Sequence, residues 1–472
     1  MTAYEKTAPS APPRTTHTAR NRAALLTLTC LGQFMVLLDN TIVGAALPDM
    51  QHRLHVDLTG LQWIVDAYVL LVAMLLLSGG VFADRFGRKR LYLIGVAIFT
   101  LASAVCSLAP SLGWLIAGRT LQGVGAAALA PASLALLAVA YPRPEERVKA
   151  IGLWAGFSGI GLAAGPLAGG VLTDAFGWPA IFLVNLPIGI VLLLAGHRVL
   201  GESRSLNAPA IDIPGTVLSV FAVGTLTYGL IEGGSSGWTS PLILGAFASG
   251  AVLLAAFLIV ESRRTAPMLP LRLFRQRLFT VSNTAMVVVG FALMGSSFFF
   301  SQFFVSVQGS SLLRAGLQTL PVSLAMVVIS PYAGRLAARY GFRIVVTVGL
   351  ALAGVGLLAL GFVHAQTGYG NVWWRLAIAG AGFALTMSPL TGAAIQAVNP
   401  QEGGLASGIS STTRQIGAVL GVAVLGAIVR ARESDGASFE AGLNTAFTTA
   451  GAVVIATAVF TGVWLTRANA SR

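Results

Sequence analysis

The chain has 472 residues, 55% of them hydrophobic and only 10% charged, where an ordinary soluble domain carries about 25% charged. With a mean hydropathy of +0.79, no water-soluble fold has enough polar surface to cover so much apolar side chain. The net charge of +13 rests on 27 Arg and 3 Lys; this reads as the codon bias of a GC-rich, bacterial genome and not as a nucleic-acid footprint, because position matters more than the sum. An all-α polytopic membrane protein remains. A spanning helix needs roughly 20 mostly apolar residues, and breaking the chain at its polar and Gly/Pro-rich joints yields fourteen spans. Residues 1–21, rich in Pro, Thr, Ala and Arg, read as a disordered cytoplasmic tail. Spans follow near 23–46, 60–82, 91–109, 112–138, 148–173 and 179–197, then 213–231 and 241–260. Six more lie near 279–305, 315–333, 344–364, 372–396, 405–429 and 446–466.

Charge sets the orientation, since Lys and Arg stay on the cytoplasmic side. With the N-terminus inside, the cytoplasmic segments sum to +15 and the outer loops to −3, which predicts N-in, C-in and an even number of spans. The chain also repeats itself. GVFADRFGRK at 80–89 is echoed by GRLAARYGFR at 334–343, each after an outside-to-inside span. Two related six-helix halves are expected, 22–200 and 263–472, with two helices inserted between them in 201–262, an arrangement known among transporters.

Four motifs carry a family resemblance. G-x-F-A-D-R-x-G-R-K-R after the second span resembles the signature loop of the major facilitator superfamily. LLDNTIVGAALP at 37–48 resembles the first-helix motif of its fourteen-span drug:proton antiporters. LIAGRTLQGVGAA at 115–127 resembles the fourth-helix motif, and GIGLAAGPLAGG at 159–170 the fifth-helix antiporter motif. The resemblance spans residues 23–466. It implies a major facilitator fold in the cytoplasmic membrane and a proton-coupled exporter of hydrophobic or cationic small molecules, acting as a monomer with no cofactor but the proton. A proton symporter for a small polar metabolite is the alternative reading; the scarcity of polar residues in spans 9–14 weighs against it. No catalytic constellation or metal-ligand set occurs, and no ATP-binding loop, so an ion gradient is expected to drive transport.

The loop residues Gly80, Asp84, Arg85, Gly87 and Arg88 are expected to gate. The positive-inside rule alone explains bases there but neither the acid nor the glycines. Gly161, Gly165, Pro166, Gly169 and Gly170 form a smooth, bendable face, since small residues let helices approach closely and proline kinks them. Ionisable groups within hydrocarbon are costly and mark function by default. Counting about 1.5 Å per residue puts Asp39, Asp66 and Arg119 at one depth in the outer half. A coupled cluster is expected, the alternative being a static Asp–Arg pair that fixes packing. Asp39 is expected to carry the proton and Asp66, in WIVDAY, to receive a cation. Met35, Gln122, Gln302 and Phe303 complete a guessed substrate cavity, the last two from FFFSQFF at 298–304.

Overall fold

The computed structural model describes residues 19–204, 211–264, 267–399 and 402–469. Of the expected tail, residues 1–18 lie outside the described residues, and the first helix has begun by Ala19. Fourteen helices are long and apolar enough to cross a bilayer: α1 (Asn21–Leu54), α2 (Leu58–Phe86), α3 (Arg88–Ser107), α4 (Leu112–Ala140), α5 (Glu145–Phe176), α6 (Ala180–Val199), α7 (Ile213–Ser236), α8 (Pro241–Arg263), α9 (Arg277–Val307), α10 (Leu312–Tyr340), α11 (Phe342–Leu360), α12 (Tyr369–Gln396), α13 (Gly403–Ser434) and α14 (Phe439–Leu465). The number matches the sequence reading. The first end does not: α1 continues past Pro48 to Leu54, because neighbouring helices can re-satisfy the carbonyl that a membrane proline frees.

Helix packing repeats at an interval of eight helices. α1 lies on α5 as α9 lies on α13, α2 on α4 as α10 on α12, and α3 on α4 and α6 as α11 on α12 and α14. The two sets meet along α2–α13 and α5–α10, while α7 and α8 pair with each other and α7 rests on both α2 and α13. The repeated loop has the same backbone in both copies. Gly87 (φ +110) and Gly341 (φ +83) each donate N–H to the residue four back, Ala83 at 3.2 Å and Ala337 at 2.9 Å, and each opens the next helix. Positive φ is what glycine supplies cheaply.

Candidate functional site

Asp39 lies in the middle of α1, fully buried. Its Oδ2 accepts from Arg119 Nη1 at 2.5 Å, and its Oδ1 from Gln122 Nε2 at 3.1 Å and Asn185 Nδ2 at 2.9 Å. Arg119 and Gln122, three residues apart on α4, share a face and bond each other at 2.8 Å. Ser103 of α3 accepts from Gln122 at 2.8 Å and from Asn185 of α6 at 3.3 Å. Arg119 Nε donates to Ile64 O at 3.1 Å, and its guanidinium sits 4.2 Å from the centre of the Tyr68 ring. One carboxylate with three donors, in a dry site joining α1, α3, α4 and α6, is a satisfied anion.

Asp66 is equally buried but lies outside this bonded set: neither carboxyl oxygen has a hydrogen-bond partner among the described residues. It is one turn below Gln62, so the two share a face of α2. Gln62 applies that face to the other half, donating from Nε2 to Val422 O at 2.9 Å and Ala423 O at 3.3 Å on α13. The expected three-residue cluster is therefore divided. Asp39, Arg119 and Gln122 come together, and Asp66 stands apart toward the joint between the halves. Charge held on an unpartnered buried carboxylate costs several kcal/mol, far more than the neutral acid.

Met35 is fully buried. Gln302 is buried with Nε2 unpartnered, just before α9 relaxes into a π turn over Phe303–Val307. Phe303 lines, with Phe300, Phe304, Leu376 and Phe447, a void of about 10 Å³ inside the C-terminal half, room for about one water.

In the loop, Asp84 Oδ1 accepts from Arg88 Nε at 2.9 Å and Nη2 at 2.6 Å. A partly exposed pair like this, bridging the break at Gly87, is worth about 1 kcal/mol at most; it aims Arg88 more than it stabilises. Arg85 is exposed, and a Cβ on Gly80 would just touch Pro131. Glu202, after α6, crowns the start of α3: its carboxylate accepts from Lys89 N at 3.2 Å and Arg90 N at 3.1 Å, where a helix favours an anion. Its oxygens stand 2.7 and 2.9 Å from where a Cβ of Gly87 would be. Lys89 Nζ donates to His197 O at 2.7 Å, and in the second copy Arg343 Nε donates to Gly462 O at 2.9 Å. Each half thus caps its last helix with a base from its own loop.

The α5 glycines serve two neighbours. Gly161 and Gly169 face α1, leaving 2.8 Å to Phe34 O and 2.6 Å to Ile42 O for a Cβ, and Gly165 lies against Thr41, whose Oγ1 donates to Leu162 O at 3.2 Å. Gly170 faces α10, 2.8 Å from Leu312 O on the same measure, and Gly316 of α10 abuts Pro166. Sequence reasoning missed Asn185, Ser103, Gln62 and Glu202; the signal for Asn185 was an amide in the otherwise apolar IFLVNLPIG.

Two repeated helix sets meeting along a seam, the first of them holding a buried ion pair, are the architecture of a polytopic membrane transporter. Residues 29–422 match the Major Facilitator Superfamily, and the chain belongs to it. It is 41% identical over 413 residues to multidrug resistance protein Stp of Mycobacterium tuberculosis, covering 87% of this chain and 77% of that one. It is 36% identical over 452 residues to the methylenomycin A resistance protein of Bacillus subtilis, covering 95% of each. The fold is that of the nucleoside transporter NupG, with TM-score 0.64 over 94% of this chain and 99% of that one at 14% identity.

Proposed function

We propose that this protein exports hydrophobic or cationic small molecules, drugs or antibiotics among them, from the cytoplasm in exchange for protons. The names of its relatives support the cargo class. The single observation that carries the exchange chemistry is Asp66, a buried carboxyl without a partner. Holding a proton, it is neutral and stable there. A lipophilic cation brought beside it stabilises the anion and expels the proton, since an opposite charge within a few ångströms favours the charged form. This shifts the exchange site from Asp39, where sequence alone put the proton, to Asp66. Asp39 and Arg119 then act as a fixed pair that stiffens the N-terminal half. Alternating access is a rocking of 22–200 against 263–472 about the α2–α13 and α5–α10 seams. With the N-terminus in the cytoplasm, the contact of Gly170 with α10 closes the outer end of the second seam. Everted vesicles test the reading: adding a cationic substrate should collapse a preformed proton gradient in wild type and leave it intact in Asp66→Asn. Substrate uptake that does not respond to the gradient would overturn proton exchange.

A further inference from the structure

The inserted helices carry a second buried acidic centre, far in sequence from the one above. Asp212 begins α7 and Glu261 ends α8, and they are only 5% and 2% exposed. Asp212 Oδ1 accepts from Gly215 N at 2.9 Å, capping α7, and lies 3.3 Å from Arg264 Nε. Its Oδ2 accepts from Met268 N at 3.4 Å. Glu261 Oε2 accepts from Leu269 N at 3.0 Å, while its Oε1 is buried with no hydrogen-bond partner among the described residues. That orphan oxygen and Asp212 Oδ2 each lie 2.6 Å from the point where a Cβ on Gly215 would stand, so the two acids converge on one glycine, and Glu261 is placed to hydrogen-bond Asp212. Among the described residues, only Arg264 is paired with this centre as a compensating charge. Residues 205–210 and 265–266, which flank the centre, contain no ionisable side chain. On the α2 side the facing groups are neutral: Ser78 Oγ and Thr216 Oγ1 share a bond of 2.6 Å, and Ser78 Oγ donates to Met268 Sδ at 3.4 Å.

Two carboxylates against one guanidinium, itself about a third exposed, leave one negative charge on buried oxygens. Like charges this close cannot both ionise cheaply. We propose that Asp212 and Glu261 bind a single proton between them, and that this shared proton holds the linker 267–270 and the inserted pair against α2. The O–H of one acid donates to the other, filling the vacant acceptor on Glu261. With the proton on Glu261, the Asp212 anion keeps Arg264 and the Met268 amide, and the neutral Glu261 still accepts from Leu269 N. This centre does not depend on the exchange role of Asp66. Its position beside Ser78, immediately before the loop at 79–90, means that loss of the proton would loosen the inserted helices from the gating end of α2.

Two measurements on the full-length protein in nanodiscs test this. The infrared protonated-carboxyl band, compared between pH 6 and pH 9, should contain a component that is present in wild type and in Asp66→Asn but absent in Glu261→Gln. Amide exchange over 267–270 should quicken by roughly tenfold at the higher pH in wild type, corrected for the intrinsic rate, and stay slow at both pH values in Glu261→Gln, which keeps the hydrogen bond without the charge. Gly215→Ala, which wedges the acids apart, should exchange fast at both. An unchanged infrared band in Glu261→Gln, or equal pH responses in wild type and that variant, would overturn the proposal. So would a linker that tightens with sodium, potassium or magnesium at fixed pH, since the pocket would then hold a metal cation and not a proton.

Discussion

Replacing Asp39 and Asp66 by Asn makes the same substitution at equally buried positions, yet the surroundings demand opposite outcomes. At Asp39 the anion is bound by Arg119, Gln122 and Asn185. An amide can offer its oxygen to the two neutral donors, but its NH2 then faces Arg119 Nη1, and the guanidinium is left buried and uncompensated. Breaking a buried pair from one side costs about 3–5 kcal/mol. The bonds of Arg119 to Ile64 O and Gln122, with the Tyr68 ring beneath it, place the expected loss near the lower end, about 3 kcal/mol. At Asp66 nothing is bonded in the first place, so Asn exchanges one unpartnered polar group for another and stability should stay within about 1 kcal/mol of wild type. Denaturant unfolding in mixed micelles, followed by tryptophan fluorescence, measures both. The double variant Asp39→Asn/Arg119→Gln removes the stranded charge and should be less destabilised than Asp39→Asn alone. Equal losses in the two single variants, or a neutral Asp39→Asn, would refute the division of roles drawn from these contacts.

Transport itself offers further checks. Asp66→Asn should abolish gradient-driven resistance to cationic and neutral hydrophobic compounds alike, in a profile measured in a pump-deficient host; full resistance to either class would take the proton exchange away from Asp66. Gly87→Ala must hold φ near +110 and meet the Glu202 carboxylate, so a loss of about 1–3 kcal/mol is expected, with Glu202→Ala relieving the collision but not the backbone strain. Gly170→Leu should hold α5 away from Leu312 and Leu313, raising the outward accessibility of cysteines placed on the seam. Asp84→Ala, which frees Arg88, should slow turnover several-fold with substrate affinity little changed, read from initial export rates across substrate concentrations.

The sequence made the count of helices, the repeat and the fold family legible because apolar run length and glycine-bounded loops are one-dimensional signals. Gly87 and Gly341 recur in one conformation because both copies must turn a helix end directly into a helix start. Partner choice was less legible, and for a definite reason. Counting residues at 1.5 Å each gives the depth of a side chain but not its bearing around the helix. Asp66 and Tyr68 are two residues apart, about 200° around α2 at 3.6 residues per turn. Tyr68 lies under Arg119, so Asp66 at nearly the same depth must look the other way, along the face that Gln62 lays on α13. The same limit hid Asn185 and the convergence of Asp212 with Glu261, which stand 49 residues apart and meet only because α7 and α8 run antiparallel. What distinguishes the two acids of the N-terminal half is thus a helical bearing. One points into its own half and is bound there, while the other lies on the face of α2 turned to the seam between the halves, where the proposed trade of a proton for a cation would be coupled to movement.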